Sequence, residues 1–257
     1  MLLQSYICPL AMYNMNDEGV ADLGPLIGTV FFVNEDGNFL TAKHVIESAI
    51  SLSEERGMSI GVVVKDSNNA SNSLIAPLVN YEFYSDHIDI CVGKIDYSTP
   101  TELFFTRNKI VGFFSDVITF GYPIDAVHKN VFYEDRALKG YIQREIEADK
   151  DNGLGNSGCA SYEVNFVVSR GMSGSPLIKV NSDGKFIVVG ICVGFNRSHT
   201  IDFERTEVND NGDVFVESVQ KIIEYSRAPM IQEFLEWKPN ILNGKSLMEC
   251  CQHKFEV

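Results

Sequence analysis

Short apolar runs alternate with polar, turn-forming intervals along most of the chain. Val, Ile and Phe are concentrated in the runs, whereas Gly, Asn, Asp and Ser are concentrated between them. Asp36-Gly37 separates two such runs and Ser182-Asp183-Gly184 separates two others, as in β-hairpins. Because many short strands need closed or covered sheets, the pattern predicts an antiparallel all-β fold with barrels. The strand-like segments are 28–46, 58–66, 89–95, 115–123, 136–148, 162–169 and 176–195.

Helical spacing is clear mainly in the C-terminal part of the chain. Apolar residues recur at helical spacing over 215–226, and Pro229 ends that pattern. The segment 229–238 then has the pattern of a short amphipathic helix that begins at a proline. A further small helix is predicted over 44–55. We therefore expect a helical C-terminal segment, 215–257, after the strand-rich part.

The charge balance disfavours two classes of partner. The chain has 257 residues, 45% of them hydrophobic, and a net charge of -14. An acidic surface disfavours nucleic acid, whose phosphates require clustered Lys and Arg, and it disfavours anionic membranes. The simplest interpretation is a solvated surface that keeps the protein soluble, and a preference for basic partners is the alternative.

The cysteine pattern predicts reduced thiols rather than disulfides. There are six cysteines, but Cys91 and Cys192 lie inside strand-like runs, Cys250 and Cys251 are adjacent, and no C-x-x-C motif occurs. The N-terminus lacks the basic region and cleavage site of a signal peptide, and no apolar stretch approaches 18 residues. The five histidines are scattered singly. We therefore expect a soluble, cytoplasmic protein without a metal ion or cofactor.

A serine between small residues gives the sharpest chemical signal. In "SRGMSGSPLI", residues 169–178, Ser173 is flanked by Gly171 and Gly174 and followed by an apolar strand. Glycines relieve crowding where backbone N–H groups must converge, so this serine is a candidate nucleophile. The alternative is an ordinary hairpin turn. Ser157 in "LGNSGCAS" is a weaker candidate, since no apolar strand leads into it.

A serine nucleophile needs a base and an acid that orients the base. His44 in "FLTAKHVIE" follows an apolar strand and opens a predicted helix, although a structural histidine would fit there too. His87 is its main competitor. Asp89 in "HIDICVGKI" directly precedes an apolar strand, and Asp86 is the alternative acid three residues earlier.

The order of these residues resembles that of the chymotrypsin-fold, or trypsin-like, serine proteases. "TAKHV", "DICVGKI", "GMSGSPLI", "FGYP" and "VVGICVGF" carry the resemblance, which is nearer the bacterial glutamyl endopeptidase-like and HtrA-like branches. It implies two antiparallel six-stranded β-barrels with the active site between them. A single peptidase domain would then span 1–257, with one barrel over about 25–110, the other over about 111–214, and the helical segment last.

The resemblance also implies residue roles and two limits. Met172 stands where members activated by N-terminal cleavage carry an Asp, so no such activation is expected. The glutamyl enzymes have a histidine in place of Cys192, so their acid specificity is not carried over. The implied roles are general base for His44, orienting acid for Asp89, nucleophile for Ser173, oxyanion hole for the N–H groups of Gly171 and Ser173, floor of an apolar specificity pocket for Val167, and substrate-pairing strand for Cys192, Val193 and Gly194.

Two functions from different classes follow. The first is a serine endopeptidase acting on proteins or peptides, either narrow in specificity or activated by a regulatory partner. The candidate contact for that partner is the predicted helical segment 215–238. The resemblance alone suggests a context, since similar stand-alone trypsin-like domains are seen in prokaryotic regulatory and anti-phage systems. The second is a catalytically silent module of the same fold that binds peptides or partners. An α/β-type esterase is disfavoured, because Ser175 replaces the last glycine of G-x-S-x-G and a strand follows.

Overall fold

Two β-sheets form the body of the protein. The computed structural model describes residues 3–65, 72–98, 101–124, 133–148, 158–209, 211–251 and 255–256. Its first sheet has six antiparallel strands in the order β1-β2-β3-β6-β5-β4, and β4 pairs back onto β1, so the sheet closes into a barrel. These strands are β1 (Ile7–Met15), β2 (Ala21–Phe32), β3 (Asn38–Thr41), β4 (Ser59–Lys65), β5 (Ser73–Phe83) and β6 (Cys91–Ile95).

Large apolar side chains fill the first barrel. Leu10, Phe31, Phe39 and Val62 are completely buried. The Phe39 ring lies so close to β6 that a Cβ on Gly93 would be 2.1 Å from its Cζ atom. A glycine is therefore required opposite this ring, and the interior is packed without room for another side chain.

The first barrel begins earlier than the predicted boundary near residue 25. β1 lies before that boundary and pairs with both β2 and β4. Pro9 lies one residue outside Leu10–Tyr13, the stretch that pairs with β4. A proline at this point removes no hydrogen bond from that ladder, so the strand tolerates it.

One helix, α1 (Lys43–Arg56), packs on the first barrel and confirms the helix predicted over 44–55. It starts two residues after β3 and buries Val45, Ile46 and Ala49. Gly57 ends it in the left-handed conformation, with φ 66°, and its N–H donates to the carbonyl of Ser53.

The second sheet has nine described strands in the order β13-β14-β10-β9-β8-β11-β12-β7-β15. An isolated bridge between Gly190 and Met230 brings β12 next to the end of β14. The six strands from β14 to β12 thereby surround a second core, and β13, β7 and β15 extend the predicted six-stranded arrangement. The strands are β7 (Leu103–Thr106), β8 (Asp116–Gly121), β9 (Arg136–Ile146), β10 (Ser161–Val164), β11 (Pro176–Val180), β12 (Phe186–Ile191), β13 (Gly194–Val208), β14 (Val214–Pro229) and β15 (Phe255–Glu256).

The helix predicted over 215–226 is wrong, because these residues belong to β14. They pair with β13 to form a two-stranded arm, defined here as residues 196–209 and 211–225. Most of its described side chains are exposed, so burial imposes no alternation and the apolar spacing carries no information about period. β-Branched residues such as Val216, Val219 and Ile222 favour a strand once a partner strand is present.

The remaining C-terminal helical structure is short. The segment 229–238 contains a 3₁₀ turn, Ile231–Glu233, instead of the predicted amphipathic helix. A single-turn helix, α2 (Leu247–Cys250), follows, with a capping box between Ser246 and Glu249. No helix among the described residues is long and apolar enough to cross a membrane.

The boundary between the two barrels also differs from the prediction. β7 lies before residue 110, within the range predicted for the first barrel, but it pairs with β12 of the second sheet. The connection between the sheets therefore precedes Leu103. The all-β, chymotrypsin-like fold class itself is confirmed, with few helices and a short one near the C-terminus.

Candidate active site

The pairing of β3 with β6 brings His44 and Asp89 together. Thr41, the last residue of β3, lies opposite Cys91, the first residue of β6. His44 follows β3 by three residues and Asp89 precedes β6 by two, so both lie at the same end of the barrel. Asp89 Oδ1 accepts the backbone N–H of His44 at 2.9 Å, and Asp89 Oδ2 lies 2.6 Å from His44 Nδ1.

This contact fixes the state of the imidazole ring. A carboxylate beside Nδ1 favours the proton on that nitrogen, which leaves Nε2 as the acceptor. The side chains of His44 and Asp89 are 43% and 34% exposed, so the pair lies in an open cleft rather than in the core. Asp89 therefore orients the imidazole ring at Nδ1, while the side chain stays accessible from the cleft.

The alternative acid and base lie elsewhere. Asp86 and His87 are exposed on the segment before β6. Lys43 Nζ holds the backbone of this segment by donating to the carbonyls of Ser85 and Asp86. The structure therefore pairs His44 with Asp89 and not with Asp86.

The loop that carries Ser173 packs against the first barrel, next to the start of α1. The backbone N–H of Thr29 donates to the carbonyl of Ser173 at 2.9 Å. Gly174 has φ 88°, and a Cβ there would lie 2.1 Å from Thr41 Oγ1 and 3.1 Å from the nitrogen of Ala42. Ser173 is thus held beside the residues that lead directly into His44.

The serine and histidine side chains are not hydrogen-bonded to each other. Within the described ranges, no hydrogen bond joins Ser173 Oγ to the His44 ring. Such contacts are often long in unliganded enzymes and shorten when substrate binds. Ser157, the weaker serine candidate, lies outside the described residues.

The backbone of the serine loop leaves two N–H groups free. The carbonyl of Arg170 accepts the N–H of Ile124 at 2.7 Å, which turns the N–H of Gly171 the opposite way across the trans peptide. Neither Gly171 nor Ser173 donates its backbone N–H to an acceptor among the described residues. Free donors flanking a serine are what an oxyanion hole requires.

Thr29 holds this conformation from the first barrel. Its Oγ1 donates to the carbonyl of Gly171 at 2.8 Å and accepts the N–H of Tyr122 at 3.1 Å. Gly171 has φ 87°, and a Cβ there would lie 2.4 Å from the carbonyl oxygen of Tyr122. Only glycine fits at this position, because both the φ angle and the neighbouring backbone exclude a side chain.

Cys192 supports the serine loop through both of its backbone groups. Its N–H donates to the carbonyl of Ser175 at 2.8 Å, and its carbonyl accepts the N–H of Gly174 at 2.7 Å. Both backbone groups therefore have partners within the protein, while the carbonyl keeps a second lone pair, so pairing of Cys192 with a substrate stays a prediction. Its thiol is fully buried, and burial raises the pKa of the thiol to about 11.

Val193, Gly194 and Val167 lie along the same end of the second sheet. The N–H of Val193 donates to the carbonyl of Arg227 at 3.1 Å, and Gly194 pairs directly with Arg227. Val167 is partly buried, and the next residue donates its N–H to the hydroxyl of Ser226 at 2.7 Å. These three residues thus lie near the end of β14, and their role in substrate binding stays a prediction.

Sequence reasoning missed Arg227. This residue lies near the end of β14, directly between Gly194 on β13 and Glu163 on β10. Its Nη2 donates to Ser161 Oγ at 3.2 Å. A single arginine beside an apolar run could have marked this position as a candidate. However, Arg227 directly follows the segment predicted as a helix, so the pattern did not place it in the sheet that carries the site.

The chain has distant structural resemblances among solved proteins. No curated protein matches the chain. Solved structures that resemble it include the Rv3671c protease of M. tuberculosis in an inactive form, with 19% identity, 75% of this chain and 79% of that chain covered, and a TM-score of 0.47. The apo protease domain of MamO from Magnetospirillum magneticum has 15% identity, 84% and 92% coverage, and a TM-score of 0.49. Deg5 has 16% identity, 74% and 80% coverage, and a TM-score of 0.49.

A family model gives the decisive match. The model described as a trypsin-like peptidase domain matches residues 28–191, which is more than half of the chain. The matched range contains His44, Asp89 and Ser173. Membership supports peptidase function in general. On this match, the chain belongs to the trypsin-like peptidase domain family.

Proposed function

We propose that the protein is a serine endopeptidase in which Ser173, His44 and Asp89 act as a catalytic triad. The observation that carries this proposal is the 2.6 Å contact between His44 Nδ1 and Asp89 Oδ2, beside a serine loop with two free N–H groups. The carboxylate orients the ring and stabilises its cation, which makes Nε2 a general base for the serine hydroxyl.

In the proposed reaction, the proton of the serine hydroxyl passes to His44 and then to the leaving amine. Ser173 Oγ bonds to the peptide carbonyl carbon while its proton moves to His44 Nε2, and the carbonyl oxygen becomes an oxyanion. The C–N bond then breaks, and His44 returns the proton to the leaving amine, which leaves an acyl-enzyme. Water, deprotonated by the same ring, hydrolyses the ester and restores Ser173.

The conformation of the serine loop matters for stabilising the oxyanion. The N–H groups of Gly171 and Ser173 would donate to it, since each is free of other acceptors in the described part of the chain. A silent binding module does not need this arrangement. The free donors therefore favour the endopeptidase over the silent module of the same fold.

We also propose a reducing compartment, the cytoplasm, and a restraint on activity. All six cysteines are free thiols, and five of them are buried. A peptidase among other proteins requires either narrow specificity or a regulatory partner. The candidate contact for such a partner is the exposed arm, in place of the predicted C-terminal helices.

Fluorophosphonate labelling tests the triad directly. We expect an adduct on Ser173 of the wild-type protein, identified by mass spectrometry of the modified peptide, and no adduct in Ser173→Ala or His44→Ala. Ser157→Ala is the matched control and should label like the wild type. An adduct on Ser157, or equal labelling of His44→Ala, would overturn the assignment.

A further inference from the structure

A row of charged side chains crosses the second sheet beside the cleft. Arg144 on β9 lies opposite Glu163 on β10, which lies opposite Arg227 on β14, which lies opposite Gly194 on β13. Residues directly opposite each other in antiparallel strands project from the same face of a sheet. Two arginines, one glutamate and one empty position therefore share one face.

The glutamate neutralises only one of the two arginines. Glu163 Oε2 lies 2.7 Å from Nη2 of Arg144, and Glu163 Oε1 accepts from Gln143. Arg227 makes no ion pair with any described residue; its Nη2 donates to Ser161 Oγ at 3.2 Å. The row thus ends in a cation without a carboxylate partner.

The guanidinium of Arg227 also has unused hydrogen-bonding capacity. Its Nε atom is buried and forms no regular hydrogen bond among the described residues, and the Cys159 thiol beside the guanidinium is only a weak acceptor. Burial lowers the pKa of this guanidinium, although it stays charged. A desolvated donor of this kind is costly unless an acceptor is supplied, and a charged acceptor forms the strongest bond.

The space beside Arg227 is open. A Cβ built on Gly194 would meet nothing within 4 Å. The residues before and after Arg227, Ser226 and Ala228, are fully buried, so the arginine projects from the opposite face. On that side its charge is within electrostatic reach of Asp89, which places it by the proposed active site.

We propose that Arg227, together with the open position at Gly194, forms a subsite for an acidic side chain of the substrate peptide. This inference rests on the proposed function, since the strand containing Val193 and Gly194 would pair with the substrate backbone. A planar guanidinium binds a carboxylate through two parallel hydrogen bonds, and an amide of the same shape satisfies it less well. Val167 lies close to this subsite, because the next residue donates its N–H to Ser226 Oγ, directly before Arg227.

The test compares matched peptides that differ in one group. Internally quenched octapeptides carry either Glu or Gln at one position, moved residue by residue along the peptide. At one position we expect kcat/KM to be about tenfold higher for Glu than for Gln in the wild type. In Arg227→Gln the ratio should fall to about one, because kcat/KM for the Glu peptide falls about tenfold more than kcat/KM for the Gln peptide.

Control variants separate recognition from a structural role. Arg205→Gln removes an arginine that pairs with Glu207 on the arm and should keep the wild-type ratio. Arg227→Lys keeps the charge without the fork geometry and should give an intermediate ratio. A wild-type ratio of one at every position, or a tenfold ratio that persists in Arg227→Gln, overturns the proposal.

A binding measurement makes the result independent of catalysis. The same peptides, without quencher, are titrated into Ser173→Ala and into Ser173→Ala/Arg227→Gln by fluorescence polarisation. Tighter binding of the Glu peptide, lost in the double variant, supports the subsite, whereas equal affinities contradict it. Failure of fluorophosphonate labelling in the wild type would remove the proposed function alone, and these affinities would then decide the role of Arg227.

Discussion

The two halves of the proposed active site are held in different ways. His44 and Asp89 are placed by one ladder, the pairing of β3 with β6 in a closed barrel. The Ser173 loop belongs to the second sheet, yet it takes its conformation partly from Thr29 of the first. The base and acid are therefore a local product of one barrel, whereas the nucleophile depends on contact between the two.

This difference predicts where each half is vulnerable. Damage to the His44–Asp89 pair should abolish chemistry without moving the serine loop. Damage to the loop should disturb the oxyanion donors and leave the pair intact. Substitutions that separate these outcomes test the comparison, and they differ in the size of the expected effect.

The largest effect is expected from Asp89→Asn. An amide at this position donates to Nδ1 and favours the wrong tautomer of His44, so kcat should fall on the order of 10⁴-fold. The far-ultraviolet circular dichroism and melting temperature should change little, because the amide oxygen can still accept the N–H of His44. Asp86→Asn is the control, and a comparable loss of kcat in that variant would contradict the assignment.

A smaller loss is expected from Gly171→Ala. The new Cβ would collide with the Tyr122 carbonyl and force the loop to move, so the rate of fluorophosphonate labelling should fall by about 10²- to 10³-fold. Gly184→Ala is the matched control: it has φ 77° in the β11–β12 hairpin and nothing within 4 Å of a Cβ. It should cost about 1 to 2 kcal/mol of stability and leave labelling unchanged.

Thr29→Val should have a moderate effect. It keeps the shape but removes the hydroxyl that joins Gly171 to Tyr122, so kcat should fall about tenfold and unfolding should become easier by about 1 to 3 kcal/mol. Thr101→Val is the control, since Thr101 Oγ1 is also buried, donates to Phe32 and accepts from Leu103. Equal losses of kcat in both variants would show that Thr29 acts only on stability.

The sequence revealed the parts of this design that are local. Hairpin turns at Asp36-Gly37 and near Gly184 mark strands correctly, and the strand-to-helix junction before His44 is visible in the apolar pattern. The glycines around Ser173 indicate a tight loop, because few residues other than glycine adopt the positive φ angles found there. Each of these features depends on residues close together in the chain.

Features set by distant contacts could not be read from the sequence. β14 carries apolar residues at helical spacing, and only its pairing with β13 makes it a strand. Thr29 and Gly171 are 142 residues apart, so no local pattern links them. The family resemblance assigned Cys192 to a substrate-pairing strand, whereas the partners of its backbone groups depend on the fold of the serine loop.

The smallest predicted effect concerns a buried thiol in each half. Burial raises the pKa of Cys8, in the first barrel, to about 12 and that of Cys192, in the second sheet, to about 11, from an ordinary value of 9.0. The folded state therefore favours the neutral thiol. This contribution to stability is complete below pH 9 and is lost as the pH rises toward about 11 for Cys192 and about 12 for Cys8. Relative to pH 8, each thiol should lower the free energy of unfolding by about 1 kcal/mol at pH 10.

Denaturant titrations of the wild type, Cys8→Ala and Cys192→Ala at pH 8 and pH 10 measure this contribution. Each variant should show a loss about 1 kcal/mol smaller than the wild type between the two pH values, and an unchanged loss would contradict the assigned burial.

Pulsed alkylation in the same titrations then compares the two halves. Because Thr29 joins the serine loop to the first barrel, Cys8 and Cys192 should become reactive at the same denaturant concentration in the wild type. In Thr29→Val, Cys192 should become reactive at a lower denaturant concentration than Cys8. The reason is that only the serine loop beside Cys192 loses a hydrogen bond from outside its own sheet.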